Sequence, residues 1–185
     1  MKATFLGWVS GIFLVILLSS VLDSMGIENF QFYIGAGMGI GVGWAQGRVL
    51  QTAGKLSAVW WWTTTLGLGV PFLLFDFYAH YFSVSLGDRY LPVSLFTGSL
   101  AAGLLHYGYL KKYYAAAVWW LPASVLGWLL AGGTVYLVTY TRHIASSNAL
   151  LFVLNLSLIL SGGWVLGKVT GFVLVQKVTN AAKQA

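Results

Sequence analysis

The chain has 185 residues, 58% of them hydrophobic and only 8% charged, with a mean hydropathy of +0.80. A soluble domain has about a quarter of its residues charged, so this composition excludes an ordinary soluble fold and points to a bilayer. There is no cysteine, which removes disulfides, thiolate metal sites and thiol nucleophiles, and the net charge of +6 comes from residues scattered singly or as Lys111-Lys112. Nucleic acid needs a basic patch, so no nucleic-acid partner is expected.

Spanning the hydrocarbon takes about 20 apolar residues, and six runs qualify: Phe5–Leu22, Phe30–Leu50, Ser57–Phe75, Pro92–Leu110, Ala115–Thr139 and Asn148–Val169. Barrel strands would alternate over about 10 residues, so the reading is an all-α integral membrane protein with six transmembrane helices in a single domain, 1–185. The first run lies behind Lys2 but ends in VLDSMG without a small-x-small cleavage site, and reads as a retained helix. With the N-terminus inside, Lys2, Arg48, Lys55, Lys111, Lys112, Lys168, Lys177 and Lys183 fall on the cytoplasmic side. Arg89, Arg142 and all four acids, Asp23, Glu28, Asp76 and Asp88, fall opposite. This obeys the positive-inside rule and predicts a multi-pass protein of the bacterial inner membrane with both termini cytoplasmic.

A 60-residue step runs through the chain. Gly43, Gly103 and Gly163 coincide, as do Thr4, Thr64 and Ser124, and Gly7, Gly67 and Gly127. Coincidence in both helices of the unit, without a gap, predicts three tandem two-helix repeats, 1–60, 61–120 and 121–180. Because each unit crosses twice, the repeats share one orientation around a pseudo-threefold axis along the membrane normal, unlike inverted repeats.

Helices in lipid associate through small residues that let backbones approach. Gly35, Gly39, Gly43 and Gly47 form one such stripe, Gly163, Gly167 and Gly171 another, and Gly103 marks a poorer copy. These stripes place the even-numbered helices at the inner contact. Trp60, Trp61, Trp62, Trp119 and Trp120 follow the cytoplasmic loops and read as interfacial anchors among membrane lipids.

Residues with possible chemistry are few. The alternating glycines from Gly35 to Gly43 imitate a phosphate loop but lack the preceding strand and the Lys-Ser/Thr ending, so they read as packing. No triad or HExxH motif is present, and no enzyme is expected. Gln46 and His106 are equivalent across the repeats, with Leu166 third; His106 could hydrogen-bond across helices or ligate a haem or chlorin. No cofactor is otherwise predicted. Glu28, Asp88 and Asn148 coincide at the starts of the even helices, and Asp23 and His143 form a second equivalent pair. They read either as N-terminal caps or as a vestibule for a cation or basic ligand. Asp76 and His80 have metal-ligand spacing but no third partner, and no metal is assigned.

The segment GMGIGVGWAQGRVL (residues 37–50), followed by Trp60-Trp61 and Leu66-Gly67, resembles a family of small uncharacterised bacterial polytopic proteins. That family has a glycine-rich helix ending in QWLVLR-like residues and then a WW helix. The segment GGWVLGKVTGFVLV (residues 162–175) is also similar to it. The chain departs from the pattern where Gln-Trp becomes Gln46-Gly47. The resemblance implies a membrane fold and no activity. Two functions follow as expectations: a non-enzymatic structural or accessory subunit of a larger inner-membrane complex with protein partners, or a small solute-binding transport module. The second rests on six-span size, which resembles the substrate-binding components of vitamin uptake transporters.

Overall fold

A computed structural model of the chain describes residues 1–28, 30–52, 59–112, 114–144 and 147–173. Lys55, Lys177 and Lys183, used above for orientation, lie outside these residues, as do Ser57 at the start of the third run and the last two residues of the GGWVLGKVTGFVLV segment. The fold is all-helical, with no strand among the described residues. Its six main helices are α1 (Lys2–Ser24), α2 (Phe32–Thr52), α3 (Val59–Phe82), α4 (Tyr90–Leu110), α5 (Trp120–Tyr136) and α6 (Asn148–Phe172). Short 3-10 turns lead into α4 and flank α5. Among the described residues, three stretches are long and apolar enough to cross a membrane: α1 with mean hydropathy 2.3, Ala116–His143 with 1.6 and α6 with 2.1. The other three main helices carry much of the glycine, tryptophan and threonine, which rank low on a hydropathy scale.

The links explain where helices stop. After α1 the chain turns at Gly26, whose φ of 72° is left-handed and suits glycine. The third helix runs on past the expected Phe75 to Phe82, which makes Asp76 and His80 helical. At the start of α6 the Ser147 hydroxyl accepts a hydrogen bond from the Leu150 N–H at 3.2 Å, an ordinary N-cap.

Each helix packs antiparallel on its sequence neighbours, and α6 returns to pack on α1, closing a six-membered ring. This corrects the expectation that even helices meet at an inner contact: every even helix sits between two odd ones. Glycine sets these crossings. A methyl group at Gly35, Gly39 or Gly43 would come within 2.7 Å of Leu68, Thr65 or Thr64 of α3, while Gly47 lies in ordinary contact with Trp60. Gly37 and Gly41, on the opposite face of α2, press against Val15 and against the backbone of Gly7 and Gly11 in α1. The alternating glycines therefore serve two helix contacts at once. Further round the ring, a methyl group at Gly103 would lie 2.9 Å from Leu121 of α5, one at Gly163 2.6 Å from Trp8 of α1, and one at Gly167 3.1 Å from Met1. Gly171 is looser, since a methyl group there would lie 3.7 Å from the Met1 nitrogen.

Burial follows the 60-residue step. Thr4, Thr64 and Ser124 are buried; so are Trp8, Leu68 and Trp128, Val42, Ala102 and Gly162, and Gln46, His106 and Leu166. All six helices contribute to the central apolar cluster of Trp8, Met38, Val42, Leu68, Ala102, Trp128, Ala131 and Leu166. Large apolar residues also cover the outside, among them Phe13, Trp44, Leu74, Phe96, Leu126 and Phe152.

Candidate functional site

The two ends of the ring differ in charge. Lys2, Arg48, Lys111, Lys112 and Lys168 lie toward the end where α1, α3 and α5 begin; the acids lie toward the other. These are called the basic and the acidic end.

The interior of the basic half is filled by polar and aromatic side chains. His106 of α4 is buried, with its ring stacked on Trp60 of α3 at 3.9 Å and an interplanar angle of 1°. Trp120 of α5 packs edge-on against both, at 5.2 Å from Trp60 and 5.8 Å from His106. The Thr64 hydroxyl donates to the Trp60 carbonyl at 2.7 Å, so it accepts from His106 Nε2 at 3.1 Å. That assigns the Nε2–H tautomer and leaves Nδ1 as a buried acceptor without a partner. Gln46 of α2 accepts from Trp60 Nε1 at 3.3 Å and donates to Thr170 of α6 at 3.4 Å. Five of the six helices are joined here.

Trp60 and Trp120, expected as interfacial anchors, are therefore interior residues, each 1% exposed. Their 60-residue spacing beside Gln46 and His106 was the signal that could have found this. Trp61 is half-buried and stacks on the exposed Trp62 at 4.1 Å, and Trp119 is exposed. Sequence reasoning missed two other pairs at the basic end. Arg48 lies over the exposed Trp44 ring at 4.5 Å, and Lys168 lies over the exposed Trp164 ring at 3.9 Å. Both are i, i+4 pairs at equivalent repeat positions, joining an amphipathic ring to a cation. As for haem or chlorin ligation, Nε2 of His106 is held by Thr64 and one face of its ring is covered by Trp60, while the unpartnered Nδ1 is buried.

The acidic half is different. Asp76 of α3 is buried, and its carboxylate accepts from the backbone N–H groups of Gln31 at 2.8 Å and Phe32 at 2.6 Å, and from the Tyr90 hydroxyl at 2.5 Å. A side chain of the third helix thus caps the second, where unpaired N–H groups and the helix dipole favour negative charge. This corrects the capping assignment. Glu28 does not start α2, Asp88 lies in the 3-10 turn before α4, and Asn148 is the first helical residue of α6 behind its cap Ser147. Glu28, Asp88, Asn148, Asp23 and His143 are all exposed at the acidic end. His80 packs on Phe30 at 5.7 Å, and no group of three metal-ligating residues occurs among the described residues.

Between the Asp76 cap and the filled basic half lies a cavity of about 250 Å³. All six helices line it: Trp8, Ile12, Val15 and Ile16 from α1, with others including Met38, Leu68, Phe72, Leu95, Trp128 and Ile159. Every lining side chain is apolar or absent, as at Gly35 and Gly132. Trp8 donates its indole N–H to the Ile159 carbonyl at 2.8 Å, so its one polar atom is already engaged. Water needs two to four polar partners to occupy such a space, and apolar cavities of about 150 Å³ stay dry and bind benzene. The arrangement can hold a small apolar molecule.

No family model, curated protein or solved structure matches this chain. The functional reading therefore rests on geometry.

Proposed function

We propose that the chain is a non-enzymatic, six-span membrane protein of the bacterial inner membrane that binds a small apolar molecule inside its helix ring. The observation that carries this is the cavity of about 250 Å³, lined by apolar side chains and glycines from all six helices. Six spans, rather than three, are supported by exposed apolar residues on the other three helices: Val49 on α2, Leu66 and Val70 on α3, and Val93 and Leu104 on α4. Three repeats, 1–60, 61–120 and 121–180, are supported by burial that recurs at the 60-residue step and by glycines packing each even helix on the following odd one. The basic residues favour cytoplasmic termini, and the motif resemblance to small bacterial polytopic proteins fits the same reading.

Titrating the purified protein in detergent with naphthalene and with its saturated counterpart decalin tests the binding. At least one raises the melting temperature if the cavity is a ligand site, and no shift with either removes this reading. For topology, cysteines placed at Ser24 and Ser85 label with an impermeant reagent from outside intact cells, whereas protection of both reverses the orientation. The Ser146 loop lies outside the described residues.

The alternative, an accessory subunit of a larger inner-membrane complex, is favoured by the exposed aromatic cluster of Tyr78, Tyr81 and Phe82 at the end of α3. It requires a protein partner that copurifies at fixed stoichiometry in mild detergent.

A further inference from the structure

The cavity has a particular origin in the repeats. Positions 8, 68 and 128 are equivalent, all three are buried, and all three line the cavity, but they carry Trp, Leu and Trp. Two indoles, with centroids 6.0 Å apart and planes at 38°, stand where threefold symmetry would give three. Leu68 is smaller than an indole, so its position leaves space beside the other two. A second asymmetry lies beside it, because the equivalent of Ile12 and Phe72 is Gly132, and all three line the space. A methyl group at Gly132 would run into the end of the Leu95 side chain.

We propose that the ligand is a flat, unsaturated molecule, an aromatic or conjugated ring system without polar groups in its buried part, seated against Trp8 and Trp128 in the space left by Leu68. This rests on the apolar-ligand reading above. The reason for flatness is the solvent. Inside a bilayer the hydrophobic effect does not drive association, since acyl chains are as apolar as leucine. A saturated molecule gains little by leaving lipid for the cavity. A planar π-system gains ring contacts with two indoles and with Phe72, and a polarizable contact with the Met38 thioether. The committed Trp8 N–H leaves that ring only its apolar surface for the ligand. Polar substituents therefore have no partner within the lining.

The test compares two bicyclic hydrocarbons of one carbon skeleton. Naphthalene binds the parent protein roughly three- to tenfold more tightly than decalin, the margin expected of aromatic pairing. Binding is read by displacement of 1-bromonaphthalene, a heavy-atom quencher of the tryptophans. Leu68→Trp restores the third indole and abolishes naphthalene binding. Gly132→Ala pushes only the flexible end of Leu95 inward, so it guards against misfolding of the larger variant, and it weakens naphthalene binding with the parent fold retained. Equal binding of decalin and naphthalene overturns the flat-ligand class while leaving an apolar site. Binding of neither overturns the site itself. Parent-like naphthalene binding by both folded variants puts the ligand elsewhere and also overturns the proposal.

Discussion

The two halves of the ring interior are built from the same repeat and end differently. In the basic half, Gln46, Trp60, Thr64, His106, Trp120 and Thr170 fill the space and join helices by hydrogen bonds and ring contacts. In the acidic half, indoles and aliphatic side chains surround a void, and the main polar contact is the Asp76 cap at its rim. A helix bundle in lipid needs close packing and satisfied polar groups rather than apolar burial. One half supplies these, and the other encloses a void. Polar contacts in the filled half specify which helices meet, because each group has few partners; apolar contacts in the open half carry no such specificity.

The sharpest way to break this contrast is to empty the filled half. Trp60→Ala removes the ring that stacks on His106, touches Trp120 and donates to Gln46, and should cost about 3–5 kcal/mol, read as a large fall in the melting temperature in detergent. Next comes the crossing that both halves depend on. Gly41→Leu forces a side chain into the backbone of Gly7 and Gly11, and overpacking of this kind typically costs about 1–3 kcal/mol, occasionally more. Gly43→Leu and Gly163→Leu, which strike Thr64 and Trp8, should fall in the same range.

Asp76→Leu acts on the open half alone. It strands two backbone donors, at about 1–3 kcal/mol for each buried group left unsatisfied, while the Tyr90 hydroxyl keeps the Phe72 carbonyl at 3.4 Å, and the loss should appear as faster hydrogen exchange at the first turn of α2. If exchange in α2 is unchanged, the cap does not hold that helix in place. The smallest effect should come from Gly133→Leu. Nothing lies within 4 Å of a methyl group at Gly133, so the variant should melt like the parent, setting the baseline for the other glycines. Ala36 is a poorer baseline, because it lies 3.5 Å from the position of a methyl group at Gly69.

Much of the packing was legible in the stripe from Gly35 to Gly47, since a glycine every fourth residue has one physical use in an apolar helix. The second face, Gly37 and Gly41, was harder to read because its partners, Gly7 and Gly11, are too few to stand out as a stripe. Tryptophans after basic loops suggest a headgroup position, yet Trp60 and Trp120 point inward. An indole serves either environment, and only the neighbouring Gln46 and His106 distinguish them.

Composition and spacing alone make the chain apolar and helical and mark glycine as the residue of the helix crossings. These are local properties. Only the tertiary structure decided that the helices close into a ring in chain order, that Asp76 of one helix caps another, and that Leu68 faces two indoles across a void. Each of those depends on side chains far apart in sequence meeting at one place, and no local preference encodes that meeting.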